Sequence, residues 1–327
     1  MTARVLVTGG AGYIGSVVAD QLLARGYEVV VLDDLSTGHR RAVPAGATFV
    51  DGGIGDRAGV TALFARYPVN AIVHMAAVAI VEESVANPEK YRTNNVAASQ
   101  VLLDVAVAAG VRRFVFSSSC TVYGHPAAVP IVEDAPKSPV SPYGESKLAF
   151  ERVLGEYAAR HHLASVSLRY FNAAGATELR GEDHDPESHL IPNVLGVALG
   201  KRPSVDVFGT DYPTPDGTAV RDYIHVDDLA DAHVRALDIP PDGAIALNLG
   251  TGRGTSVRQV VDAARRVTGH PIPVVDKPRR PGDPPELVAA AQRATAVLGW
   301  CPQRSGLDEI LASAWRWHRA HPRGYRS

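Results

Sequence analysis

The amino-acid sequence predicts an α/β fold, a doubly wound parallel sheet carrying a smaller α/β cap. Three observations predict it. The chain opens on a strand running straight into a glycine-rich turn and a helix, and short β-branched runs then alternate with amphipathic segments as far as about Asn172. Beyond that point the texture turns polar and rich in proline and glycine. Alternation of this kind implies parallel strands joined by crossover helices. A chain of 327 residues also exceeds the usual single core, so a second unit is expected. The boundaries read as 1–172 plus 219–250 for a dinucleotide-binding sheet domain, and 173–218 plus 251–327 for a substrate-binding cap.

The first strand, Arg4 to Thr8, feeds Gly9-Gly10-Ala11-Gly12-Tyr13-Ile14-Gly15 and a helix from Ile14 to Arg25. Gly10, Gly12 and Gly15 fit G-x-G-x-x-G, the Rossmann phosphate loop, whose glycines serve a tight turn, close approach to a pyrophosphate, and helix–sheet packing. The helix N-terminus then faces the phosphates. Glu28 to Leu32 is a second strand ending in Asp33, 18 residues after Gly15. An acid there suits an adenosine ribose and repels a 2′-phosphate, which favours NAD over NADP. The competing reading is a structural turn in a flavodoxin-like chain. Further strands fall near Ala47–Val50, Ala71–His74, Phe114–Ser117 and Ser165–Tyr170. Inserted loops are expected from Gly175 to Ser188 and from Asp206 to Thr218. A strand at Val220–Ile224, a helix from Val226 to Leu237 and a strand at Ala246–Leu249 read as a return to the main sheet.

Lys and Arg number 33 against 35 Asp and Glu, a net charge of −2 with no basic block, which argues against a nucleic-acid or membrane-surface partner. Two cysteines, Cys120 and Cys301, give neither a disulfide framework nor metal-ligand spacing, as expected of a reducing, cytoplasmic compartment. No metal is expected. The longest apolar run, Ala71 to Val81, contains His74 and is too short to span a bilayer.

Ligands of open α/β sheets bind beyond the carboxyl ends of the strands. Two places there carry chemistry. One is Ser117-Ser118-Ser119, leaving the fifth strand; a capping cluster would look the same. The other is Tyr143-Gly144-Glu145-Ser146-Lys147 at the start of a helix, where a spacing of four puts phenol and ammonium on one face. Beside a nicotinamide the lysine would stabilise a phenolate. Making tyrosine a base at neutral pH requires removing about three pKa units, on the order of 4 kcal/mol.

These motifs together resemble the extended short-chain dehydrogenase/reductase family. Asn94-Asn95-Val96, Arg169-Tyr170-Phe171-Asn172, His189-Leu190-Ile191-Pro192 and the stretch from Asp211 to Val226 are similar to its UDP-hexose 4-epimerases. The resemblance implies bound NAD, a UDP-hexose substrate, a 4-keto sugar intermediate and a homodimer. It implies Ser119, Tyr143 and Lys147 as catalytic residues, and Gly9, Gly12, Tyr13, Ile14, Gly15, Asp33 and Asn95 as cofactor ligands beside Tyr143 and Lys147. Asn172, Leu190, Arg221, Tyr223, Arg280, Asp283 and Leu287 would contact the substrate with Ser119 and Tyr143. Arg221 and Arg280 would clamp the pyrophosphate, Asp283 the ribose, and Leu287 would face the sugar 2-substituent. Gly53 stands where the family often has an aspartate against adenine, and no lysine falls in Val78–Ile80, so weak NAD binding is expected. Cys120 and Thr121 disfavour dehydration, which needs an acid pair after Ser119. Another sugar-nucleotide epimerase and a non-catalytic NAD sensor are the alternatives. His74 and His225 are expected to be structural.

Overall fold

In the computed structural model, which describes residues 3–239 and 243–326, β-branched strands sort their side chains to two faces. The first half runs β1 (Arg4–Thr8), α1 (Tyr13–Ala24), β2 (Glu28–Asp33), β3 (Thr48–Asp51), α2 (Arg57–Arg66), β4 (Ala71–His74), α3 (Val81–Ala86), α4 (Pro88–Arg92), α5 (Ala98–Ala108), β5 (Arg113–Ser119), α6 (Pro142–His161) and β6 (Ala164–Tyr170). The second half runs β7 (Asn172–Ala174), α7 (Leu190–Ala198), β8 (Val205–Phe208), β9 (Val220–Arg221), β10 (Tyr223–His225), α8 (Val226–Ala236) and β11 (Ala244–Leu249). It closes with β12 (Thr255–Ser256), α9 (Val257–Thr268), β13 (Val274–Lys277), β14 (Glu286–Leu287), α10 (Gln292–Leu298) and α11 (Leu307–Ala320).

Seven strands form the main sheet in the order β11-β6-β5-β4-β1-β2-β3, all parallel. The order reverses between β1 and β4, which sets the ligand crevice at their carboxyl ends. Val5 and Val7 join a core with α1, α8 and α10, while Leu6 joins the opposite core with α2, α5 and α6. Both faces of the sheet are therefore dry, as a parallel sheet requires. A third core gathers α7, α9 and α11, with Tyr223 among them. Ala294, Leu298 and Trp300 fall in the first core, so the C-terminal stretch returns in part to the sheet. No described helix is long and apolar enough to cross a membrane.

Two expectations need correction. Val220–Ile224 is not one strand of the main sheet. It breaks at Asp222, whose buried carboxylate accepts hydrogen bonds from the Thr251 amide (2.8 Å) and hydroxyl (2.6 Å) and from the Gly252 (3.0 Å) and Ala289 (3.2 Å) amides. The chain thus leaves β9, which pairs with β12 and β14, and enters β10, which pairs with β7. The supposed loop run from Asp206 begins inside β8, which pairs in parallel with β13. His74 and His225 are structural, as expected. His74 is pulled down to about 3 by burial, and its ring nitrogens meet the Thr8 (2.7 Å) and Ser99 (2.9 Å) hydroxyls. The His225 ring meets the Ser313 hydroxyl at 2.9 Å and accepts from the Asp227 amide at 3.1 Å.

Candidate active site

The phosphate loop is shaped by what its glycines leave out. Gly9 has φ +68°, and a Cβ there would meet the Ala76 nitrogen at 2.6 Å, so the positive-φ turn falls on Gly9 rather than Gly10. At Gly10 a Cβ would strike the Val31 side chain at 2.8 Å, and at Gly15 the Gly9 carbonyl at 2.2 Å. Gly12 differs. Its nearest such contact is the Gly9 carbonyl at 3.3 Å, so internal packing demands glycine less there than at its neighbours. Gly12 is also the N-cap of α1, with no side chain capping the helix, which leaves the leading amides free for an anion. Asp33, buried at the end of β2, accepts from the Ala11 amide at 2.9 Å and the Leu35 amide at 2.9 Å, so it braces the same loop.

Gly53 lies close to a carboxylate that the sequence reading passed over, since a Cβ built there would come within 4.0 Å of Asp34 Oδ2. Asn95 sits in a π-helical segment, Thr93–Ala97, that links α4 to α5. Its amide is fully engaged, bonding the Val78 carbonyl (3.0 Å) and the Ser146 hydroxyl (3.0 Å) while its oxygen accepts from the Val78 amide (2.9 Å). Asn95 thus holds the loop after β4 against α6.

Ser119 ends β5 and Tyr143 begins α6, whose N-cap Ser141 accepts from the Gly144 amide at 3.2 Å. The Ser119 hydroxyl accepts from the Thr121 amide (3.2 Å) and hydroxyl (3.0 Å), at the strand end facing half-buried Tyr143. Burial pushes that phenol above its ordinary value, and the nearby Ser119 hydroxyl opposes the shift. One turn on, Lys147 is 3% exposed; its ammonium donates to the Ser117 carbonyl at 2.8 Å and lies 5.7 Å from the Tyr143 ring centroid. Burial pulls it down from 10.5 to about 7, with Glu151 acting the other way. The site that would let Lys147 stabilise a phenolate therefore also works against its charge.

Behind this pair lies a network the sequence reading missed. Arg169 grips Glu151 through two bonds (2.9 and 2.5 Å), both side chains nearly buried, and Ser118 donates to the same carboxylate at 2.5 Å. Arg169 also donates to Tyr123 (2.9 Å), which donates to Asn248 (2.7 Å). The end of β5 is thereby fastened to α6. Its signal was present, since Glu151 stands four residues after Lys147 on one helix face.

The substrate candidates fall into groups. Arg221 bonds Asp283, and its guanidinium also donates to the Val220 carbonyl at 2.7 Å. Arg280 opens the turn that ends at Asp283, and is ion-paired to Glu82 at 3.2 Å and stacked 4.2 Å over Phe208. Asn172 pairs with Tyr223 in register across β7 and β10, and Leu190 opens α7. Leu287 pairs with Arg221 and packs with Cys120, Leu148 and Phe171.

A family model described as the NAD dependent epimerase/dehydratase family matches residues 5–250. The chain belongs to that family. A UDP-glucose 4-epimerase of Streptomyces lividans is 53% identical over 327 residues, covering 99% of each chain. The crystal structure of UDP-glucose 4-epimerase from Brucella ovis in complex with NAD superposes with a TM-score of 0.93 at 47% identity, covering 96% of this chain and 98% of that one. The Bifidobacterium longum UDP-glucose 4-epimerase, in complex with NAD+ and UDP, superposes with a TM-score of 0.94 at 41% identity, over 98% of this chain and 100% of that one. The seven-stranded parallel sheet is the architecture these epimerases share. Within the epimerase/dehydratase family the residues here fit a dinucleotide. The uncapped start of α1, the Gly12 backbone and the Asp33 carboxylate could serve as an anion cradle and a ribose acceptor.

Proposed function

We propose that the chain is an NAD-dependent UDP-glucose 4-epimerase, an isomerase that interconverts UDP-glucose and UDP-galactose through a 4-keto sugar with no net redox change. The observation that carries it is a buried Lys147, bonded to the Ser117 carbonyl and 5.7 Å from the Tyr143 ring, with Ser119 at the end of the same strand, in a chain whose phosphate loop fits a dinucleotide. Bound NAD+ would supply the hydride acceptor for sugar C4 and a positive ring charge. Gly9, Gly12, Tyr13, Ile14, Gly15 and Asp33 would hold it.

The chain's own residues do the rest. Tyr143 takes the proton of the sugar 4-hydroxyl and gives it back after the sugar turns over, and Ser119 bridges that transfer. Burial raises the phenol, so Lys147 must bring its charge to bear at short range to make the base usable. Its bond to the Ser117 carbonyl fixes where that charge sits. Arg221 and Arg280 take the pyrophosphate, where a guanidinium fork matches phosphate oxygens. Asp283 takes the uridine ribose, Asn172, Leu190 and Tyr223 flank the sugar, and Leu287 sets the room at its 2-position.

The same reading assigns residues 1–172 plus 219–250 to the dinucleotide domain and 173–218 plus 251–327 to the cap, with 292–300 returning to the sheet. It places the protein in the cytoplasm and in galactose metabolism, as a homodimer joined through α6 and the helices from Pro88 to Ala108. Support for the dimer is that these helices lie side by side with half-buried Val101, Val153 and Tyr157 on them. Incubating purified protein with UDP-galactose and no added NAD tests the activity. UDP-glucose is expected as product; a protein that holds NAD and converts no sugar nucleotide is a sensor instead.

A further inference from the structure

Between β7 and α7 the sequence Glu182-Asp183-His184-Asp185-Pro186-Glu187-Ser188-His189 folds so that four potential ligand atoms lie within 4.8 Å of one another. We propose that Glu182, His184, Glu187 and His189 form a structural site for one divalent first-row cation, zinc being the best match. Two imidazoles and two carboxylates are a zinc donor set, and four protein ligands leave no position for catalysis. Donors about 2.0–2.1 Å from a tetrahedral ion stand roughly 3.3 Å apart. Here His189 Nδ1 lies 2.8 Å from Glu182 and 3.0 Å from Glu187, and His184 Nδ1 lies 3.3 Å from Glu182 and 3.8 Å from Glu187.

Three details separate this site from an ordinary ion-pair cluster. Both histidines present the same nitrogen to the carboxylates, and His184 Nδ1 is buried without a hydrogen-bond partner despite its proximity to Glu182. The Glu182 carboxylate is 5% exposed, a burial that calls for a cation. Meeting that need with protons would place two imidazolium rings 5.2 Å apart, whereas one divalent ion balances both carboxylates. The half-exposed side chain of His189 provides an entry path.

The site would tie two walls of the crevice together. The His184 ring lies edge-on to that of Tyr13, which donates to the Gly175 carbonyl at 2.6 Å, and His189 directly precedes Leu190. The test uses tag-free, nucleotide-loaded full chain, stripped by a chelator and titrated with cobalt(II). One equivalent per chain is expected, with the intense visible absorption of tetrahedral cobalt, displaced by zinc; the melting temperature should rise until one equivalent is bound. Glu187→Gln and His189→Asn should each abolish the spectrum, while exposed His125→Asn keeps it. Melting of each variant without cation checks that it is folded. Binding that needs millimolar cation, that survives His189→Asn, or that gives an octahedral spectrum overturns the proposal.

Discussion

Lys147 holds its charge against the pull of its surroundings. Its value falls from 10.5 to about 7 on folding because burial penalises the ammonium, so between those two values the unfolded chain binds more protons than the folded one. Stability therefore rises with pH across that window, by at most about 1.4 kcal/mol per pH unit from this group. Lys147→Met should flatten the rise. Denaturant unfolding of both proteins between pH 7 and 10 measures it, and identical slopes would mean that the ammonium is not desolvated. Tyr143→Phe should keep fold and nucleotide while turnover drops at least roughly a hundredfold, the lower range for one acid–base group; near-normal turnover removes Tyr143 from the chemistry. Leu287 sits in an apolar cluster and offers an acetamide no hydrogen bond, so UDP-glucose and UDP-galactose should be preferred over their N-acetylated counterparts. A wall of this kind discriminates by about tenfold to two-hundredfold in kcat/KM. The preference should weaken in Leu287→Ser and strengthen in Leu287→Tyr, and an unchanged ratio would place Leu287 outside the sugar pocket.

Among the elements, α6 carries the most, because one face presents Tyr143, Lys147 and Glu151 in successive turns. Glu151→Ala leaves Arg169 buried without its counter-ion, a loss expected to cost about 3–5 kcal/mol. Equilibrium unfolding should show it; a cost below about 1 kcal/mol, the range of surface pairs, would mean that water reaches Arg169. The β1–loop–α1 unit was legible because its signals are local: a strand, three glycines and an acid in fixed order. The Val220–Ile224 stretch was not, because what breaks it is a set of amides from Thr251, Gly252 and Ala289, distant in sequence. The β8–β13 pair was hidden for a similar reason. Each strand has only four residues, and their partnership joins Val205 to Val274.

At the scale of the whole molecule, the C-terminal part of the chain returns to the first half, with Arg280 reaching Glu82 on α3. The parallel sheet followed from the alternation of the sequence, though its strand order did not, and Ser119 and the phosphate loop do lie at the carboxyl ends of β5 and β1. What the sequence hid was electrostatic. Local spacing placed Lys147 beside Tyr143 but gave no sign that burial would lower one and raise the other. In the proposed reaction one hydrogen leaves sugar C4 and returns to its opposite face within a single active site. Converting UDP-galactose deuterated at C4, in ordinary water and without added NAD, tests it directly. UDP-glucose with the deuterium retained at C4 is expected; UDP-glucose carrying solvent hydrogen there would contradict the proposed mechanism.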